Sequence, residues 1–282
     1  MPVVAFWSKN NKETAQTLSM VAIATHMAVE HNFKVLMVDT YFDNPTIANC
    51  YWDNKVVGQN LAIKKLNQGK IDLGTGTSGL AQLVASGKDS PDMIKDYTRV
   101  IYKNRLEVLT KNKANSETEL ARLEGSFPDI IKTASRYYDY VLVDLQKGLN
   151  KQFVRDILEF SDIIIVNLTQ RLLDLDDFKE LTETNDLFKS NKVIPVVGRY
   201  DRYSKYSKKN IARYLGIKGE ISAVPYNTLF FESANEGMIS NYFLKFRMSL
   251  MDSSDRNAVF IQDITSTTNY IIDMVKALQM GF

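Results

Sequence analysis

The chain alternates short, wholly apolar runs with longer segments whose apolar residues recur every three or four positions. Val3–Trp7 is the first run and reads as a buried strand. Gln16–His31 is the first periodic segment, with Leu18, Val21, Ala22, Thr25, Ala28 and Val29 on a helical period. A polar loop, Ser8–Ala15, joins the two, and a second apolar run, Val35–Val38, ends on Asp39. Strand, loop, helix and strand in this order predict a βαβ unit, which requires a parallel sheet and a right-handed crossover. The loop after the first strand then faces the ligand crevice with a helix N-terminus behind it. A phosphate is therefore expected at Ser8–Thr17.

The middle of the chain is less regular. Asp43-Asn44-Pro45 predicts a turn before a short helix, and Lys55–Gly76 reads as a polar, glycine-bearing short helix and loop. Gly79–Gly87 predicts a short helix with a glycine stop, and Ser90–Tyr97 another with Pro91 at a favoured first position. Thr98–Tyr102 and Leu106–Thr110 read as strands around the turn Lys103-Asn104-Arg105. Asn115–Tyr137 reads as a long charged helix interrupted near Gly125 and Pro128. The α/β rhythm then resumes, with strands at Tyr140–Leu145, Ile163–Leu168, Lys192–Arg199 and Ile221–Pro225. Helices are expected at Asn150–Phe160, Leu173–Ser190, Ser204–Leu215, Asn227–Gly237 and Ser240–Leu250, and in a last segment carrying Tyr270, Ile271, Met274, Val275 and Leu278. Strands that are apolar throughout have both faces covered. The expected fold class is α/β, a doubly wound, mostly parallel sheet flanked by helices. No Pro/Gly/Ser-rich linker divides the pattern, so one domain is expected over residues 1–282, with a C-terminal helical segment at about 238–282.

Composition adds exclusions more than assignments. The 282 residues, 45% of them hydrophobic, suffice for a sizeable core. A net charge of +2 favours neither nucleic acid nor an acidic partner. One cysteine, Cys50, and two histidines leave no internal disulfide and no Cys/His metal site, and they suit a reducing cytoplasm, the expected location. No apolar run approaches the ~20 residues of a transmembrane segment, and Met1–Ser8 lacks the basic start and long apolar core of a signal peptide. Gly-x-Ser-x-Gly is missing, which disfavours an enzyme of another α/β class.

The candidate chemistry lies in the first loop and at the strand ends. A phosphate-binding loop uses glycines for close backbone approach, a lysine on the β- and γ-phosphates and a Ser/Thr hydroxyl on magnesium. Lys12-Glu13-Thr14-Ala15-Gln16-Thr17-Leu18 contains no glycine. Counting back from the second strand puts Thr17 at the magnesium position, Gln16 at the lysine and Ala15 at a glycine. A register that starts from Lys9 puts Thr14 at the second lysine, but it leaves the following helix about a turn too long. Asp39 and Asp144 end parallel strands at one sheet edge.

This order of elements resembles the MinD/ParA family of P-loop ATPases over roughly Val3–Gly237. The family's KGGVGKT-type loop lines up with Asn11-Lys12-Glu13-Thr14-Ala15-Gln16-Thr17. Its VDxD-type motif lines up with Val38-Asp39-Thr40-Tyr41, and its D-x-P-P-G motif with Asp144-Leu145-Gln146-Lys147-Gly148. Ser161-Asp162-Ile163-Ile164-Ile165-Val166 matches the strand after "AD". The base-reading segments match Val196-Val197-Gly198-Arg199-Tyr200-Asp201 and Val224-Pro225-Tyr226-Asn227, with Gly198 in place of an asparagine.

The resemblance implies ATP or ADP held with Mg2+. Lys12 through Leu18 would surround the phosphates, Thr17, Asp39 and Asp144 the metal, and Arg199, Asp201, Pro225 and Asn227 the base. It also implies a homodimer with a further protein partner. The basic residues 202–213 offer a DNA or acidic-partner contact, but a solvated face is the preferred reading of those charges. Likewise Thr17 fits a helix-capping hydroxyl, Arg199 and Asp201 fit a surface ion pair, and the Tyr270–Leu278 helix fits packing on the sheet. The departures weigh against fast hydrolysis. Phosphoryl transfer rests on positioning and electrostatics, and a neutral Gln16, an acidic Glu13 and Tyr41 in place of a carboxylate all weaken both. The expectation is a positioning or assembly factor with an eroded nucleotide site, analogous to the TadZ type that localises pilus or secretion machinery. The alternative is an active partitioning ATPase.

Overall fold

The computed structural model describes residues 1–9, 11–42, 46–52, 76–87, 90–109, 114, 116–247 and 255–280, with Asn11 and Lys12 described in their backbone alone. The expected turn at Asp43-Asn44-Pro45, the segment from Lys55 up to Gly76, and the end of the Ser240–Leu250 helix lie outside these residues.

Among the described residues the strands are β1 (Val3–Trp7), β2 (Val35–Asp39), β3 (Thr98–Tyr102), β4 (Leu106–Leu109), β5 (Tyr140–Asp144), β6 (Ile163–Leu168), β7 (Val193–Tyr200) and β8 (Ser222–Pro225). They form one sheet in the order β3-β4-β2-β5-β1-β6-β7-β8, parallel everywhere except the β3–β4 edge. This is the expected mostly parallel, doubly wound sheet. The chain winds from β1 toward β2 on one side and from β5 across β1 to β6 on the other. The strand order reverses beside β1, where such sheets open a ligand crevice.

The helices are α1 (Asn11–Thr14), α2 (Gln16–Glu30), α3 (Thr46–Asn49), α4 (Gly76–Ala85), α5 (Glu117–Ala134), α6 (Gln152–Phe160), α7 (Leu172–Thr184), α8 (Lys208–Leu215), α9 (Thr228–Asn235), α10 (Ile239–Phe246) and α11 (Arg256–Gln279). They cover both sheet faces, and alternate strand residues feed two cores. Ala5, Trp7, Val143 and Val166 pack with Phe127, Ile130 and Ile157 on one face. Phe6, Leu142 and Ile165 pack with Met20, Ile23, Phe260 and Ile264 on the other.

Several element ends differ from the sequence expectation. The loop Ser8–Ala15 contains the helical turn α1. The charged helix is not interrupted at Gly125 or Pro128: α5 runs through both, started by Ser116, whose hydroxyl accepts from Glu119 N at 3.2 Å. Pro128 cannot donate to the carbonyl four residues back, but it is buried with Phe127, Ile130 and Ile131, and that packing holds the helix together. Ser90–Tyr97 is a 3₁₀ helix from Pro91, and the helix expected to reach Ser190 ends at Thr184. The basic helix begins at Lys208 rather than Ser204, because Ser207 caps it through Asn210 N at 3.3 Å; Gly216, at φ 70°, ends it. No helix among the described residues is long and apolar enough to cross a membrane. The C-terminal α11 packs on the sheet, with Thr267 Oγ1 donating to Ala223 O at 3.1 Å.

Candidate functional site

The crevice beside β1 is lined by the β1–α2 loop. Ala15 lies between α1 and α2 at φ 50°, ψ 37°, in the left-handed region. A side chain there costs about 1–2 kcal/mol, which a glycine avoids. The next residue, Gln16, is only 2% exposed. Its Nε2 donates toward Phe6 O at 3.0 Å, Asp144 Oδ1 at 2.6 Å and Leu145 O at 2.8 Å, and its Oε1 accepts from Ser8 Oγ at 2.7 Å. An amide nitrogen carries two hydrogens, so its donor capacity is spent inside the protein. Thr17 Oγ1 donates to the other Asp144 oxygen at 2.5 Å.

Asp39 and Asp144 face each other in register on β2 and β5, 2% and 0% exposed. Tyr41 N donates to Asp39 Oδ1 at 2.8 Å, and Tyr41 OH donates to Leu145 O at 2.9 Å. Burial first, then the charges of Asp144 and Asp39, push the Tyr41 hydroxyl well above its ordinary range, so it stays a protonated donor. The loop after Asp144 is tied down by Gln146, whose N donates to Thr40 Oγ1 at 3.0 Å and whose Nε2 donates to Thr40 O at 2.6 Å. Burial, with the two aspartates adding to it, pushes the Cys50 thiol up to about 12, so it remains an unreactive thiol.

On the other side the loop rests on β7. A Cβ on Gly198 would stand 1.9 Å from the Thr14 carbonyl oxygen, so only glycine permits this approach. Glu13 is paired with Arg171, and Lys9 Nζ with Asp177 at 2.6 Å. Beyond β7 lies an open groove of about 840 Å³ that brings Arg199, Asp201, Pro225 and Asn227 together. Arg199, at φ 52° and exposed, holds its guanidinium 5.9 Å from the Tyr226 ring centre and has no ion pair among the described residues, so it does not pair with Asp201. Asn227 caps α9 by accepting from Phe230 N at 2.8 Å.

The sequence-predicted residues thus fall into two sets. Gln16, Thr17, Asp39 and Asp144 meet at the strand ends, and Arg199, Asp201, Pro225 and Asn227 meet at the groove. Glu13 points to Arg171, Leu18 is half-buried on α2, and the Lys12 side chain lies outside the described residues. The basic residues 202–213 do not form one free stripe, since Lys208 is paired with Asp263 and Arg202 lies over Tyr203. Arg171 and Asp177 were not foreseen. Ser8 and Gly198 lay within the expected phosphate and base-reading segments, but their contacts with Gln16 and the Thr14 backbone were not foreseen.

Two carboxylates and a hydroxyl make an all-oxygen donor set suited to Mg2+. Among the described residues there is no group of three or more His, Cys, Asp or Glu arranged to hold a metal. At the position expected for the loop lysine stands the neutral Gln16 amide, whose donors are used within the protein, and the segment before it forms the short helical turn Asn11–Thr14.

The sheet order and crevice define an α/β fold of the P-loop NTPase type, and within that class the fold is that of the MinD/ParA ATPases. Three solved structures illustrate the likeness. The ParA family ATPase from Chlorobium tepidum TLS matches with a TM-score of 0.67 at 16% identity, covering 95% of this chain and 99% of that one. The septum site-determining protein MinD complexed with Mg-ADP, from Pyrococcus horikoshii OT3, matches at 0.65 and 14% identity, over 97% and 98%. An ATP complex of McdA from Cyanothece matches at 0.63 and 13% identity, over 97% and 96%. No protein-family model matches the sequence, and no curated protein does.

Proposed function

We propose that this protein is a MinD/ParA-type positioning or assembly factor whose phosphate site is filled by its own Gln16 side chain. Its ATP hydrolysis is then weak or absent, and it acts as a scaffold through self-association and a protein partner. The observation that carries this reading is the closed set of hydrogen bonds around Gln16, which leaves no donor for a phosphate at the position of the loop lysine. A lysine–phosphate contact is charge-assisted and worth about 1.5–3 kcal/mol, so its loss weakens nucleotide binding about tenfold to a hundredfold. Magnesium, if taken up, would be held by Thr17, Asp39 and Asp144 and would supply charge neutralisation at a bound phosphate. Similar folds solved with Mg-ADP and with ATP support testing those two ligands first.

The test is calorimetric titration with ATP and ADP in the presence of magnesium, together with turnover, on wild type, Asp39→Ala and Gln16→Lys. Expected are binding no tighter than millimolar and turnover at background for wild type, with a gain in affinity for Gln16→Lys. Turnover matching an intact MinD/ParA ATPase, and abolished by Lys12→Ala, would overturn the reading in favour of an active partitioning ATPase.

A further inference from the structure

The turn Asn11–Thr14 closes over a polar floor that it does not satisfy. Ser19 and Asn167 are 0% and 1% exposed, and neither the Ser19 hydroxyl nor either polar atom of the Asn167 amide has a hydrogen-bond partner among the described residues. Asn167 is in register with Val196, so it shares a sheet face with Gly198 two residues further on. A Cβ on Gly198 would stand 3.3 Å from Ser19 Oγ as well as 1.9 Å from the Thr14 carbonyl. Ser19, Asn167 and Gly198 therefore form one floor, and the Thr14 backbone is its cover. The cavity beside it, bounded by Trp7, Thr14, Asn167 and Asp174, has about 20 Å³, room for a single water.

At the rim, the Lys9–Asp177 and Glu13–Arg171 pairs reach from the loop to the start of α7 and its second turn. Both pairs are largely solvent-exposed, a setting in which ion pairs are weak and screened by salt. Close backbone packing on a glycine favours the closed turn. Stranded buried polar atoms oppose it, because such groups are rarely left unpaired.

We propose that Asn11–Thr14 is a lid with two positions, its seat Gly198 and its latch the two ion pairs. The closed position shields Gln16, Thr17 and Asp144, and opening is the step that gives them access to solvent. This regulation rests on the reading of the site given above. Its test uses no nucleotide, so either can fail without the other.

The measurement is amide hydrogen exchange of the segment from Thr14 to Ser19 in the full chain, at low and high salt. Gly198→Ala forces a methyl into the Thr14 carbonyl and should speed exchange in this segment about tenfold or more, while β5 and β6 keep their protection. The double variant Glu13→Gln/Asp177→Asn should speed it a few-fold and remove the salt dependence that wild type shows. Asn167→Leu removes two unsatisfied atoms and should slow it. Unchanged exchange in folded Gly198→Ala overturns the lid. If that variant does not fold, unchanged and salt-independent exchange in the double variant overturns it. Faster exchange in Asn167→Leu overturns it too, since it would mean that the amide is satisfied in the closed position.

Discussion

Ala15 shows how much of the site's geometry sits in single residues. Its left-handed backbone is the conformation a glycine adopts freely, and the methyl group there stores strain of about 1–2 kcal/mol. Ala15→Gly relieves that strain and gives back about 0.5–1 kcal/mol through the freer unfolded chain. The expected net effect is a stabilisation of up to about 1 kcal/mol, read from the denaturant midpoint. A loss would mean that Ala15 does not hold this backbone in solution. Counting along the sequence placed Ala15 and Gln16 correctly relative to β1 and α2, because strand and helix periods fix the spacing. It did not disclose where the Gln16 amide goes. Its partners are Phe6, Ser8, Asp144 and Leu145, two of them at the end of β5, more than a hundred residues away. What Gly198 accommodates was illegible for the same reason, since it is the backbone of Thr14.

At the scale of elements, the joint between α2 and α11 carries a pH dependence. His26, 2% exposed, has Nε2 2.9 Å from Thr265 Oγ1, and Thr265 in turn donates to Ile261 O at 2.8 Å. The Thr265 hydroxyl hydrogen is thus committed, so Nε2 is the donor, and Nδ1 is buried without a partner among the described residues. A proton on Nδ1 would bury a charge with nothing to accept from it. Burial, with His31 adding to it, pulls the pKa from 6.5 down to about 4. The unfolded chain binds the proton first as pH falls, so the full stability is present above about pH 6.5. It declines by at most ~1.4 kcal/mol per pH unit toward pH 4, about 3 kcal/mol in all. His26→Gln keeps a donor for Thr265 and should flatten the unfolding midpoint across that window. An identical slope in the variant would assign the acid sensitivity elsewhere. The pairing of α2 with α11 could not be read from periodicity, which shows that a helix has an apolar face but not what covers it. Helix ends were misjudged for local reasons: Ser207 and Ser116 set starts by capping, and Pro128 was absorbed because its neighbours are buried.

For the molecule as a whole, the alternation of strand and helix was enough to foresee a parallel, doubly wound sheet. The apolar residues of the central strands feed two cores, one per face, built from protein side chains alone. That bears on how nucleotide would act on stability. A ligand that binds only the folded state stabilises it by RT ln(1 + [L]/Kd), about 4 kcal/mol at a thousandfold excess over Kd. In a chain of this size 1 kcal/mol moves Tm by roughly 2 °C, so tight Mg-ATP binding would raise Tm by about 8 °C. If, as proposed, Gln16 fills the phosphate position, millimolar Mg-ATP should raise the wild-type Tm by less than ~1 °C, and Gln16→Lys should restore a larger rise. The readout is global and needs no turnover, so it separates a protein that binds nucleotide without hydrolysing it from one that does not bind it. A wild-type shift of several degrees, lost in Asp39→Ala, would mean that the Gln16 amide yields its place to a phosphate. The fold would then be a nucleotide switch held at rest by its own side chain rather than a scaffold.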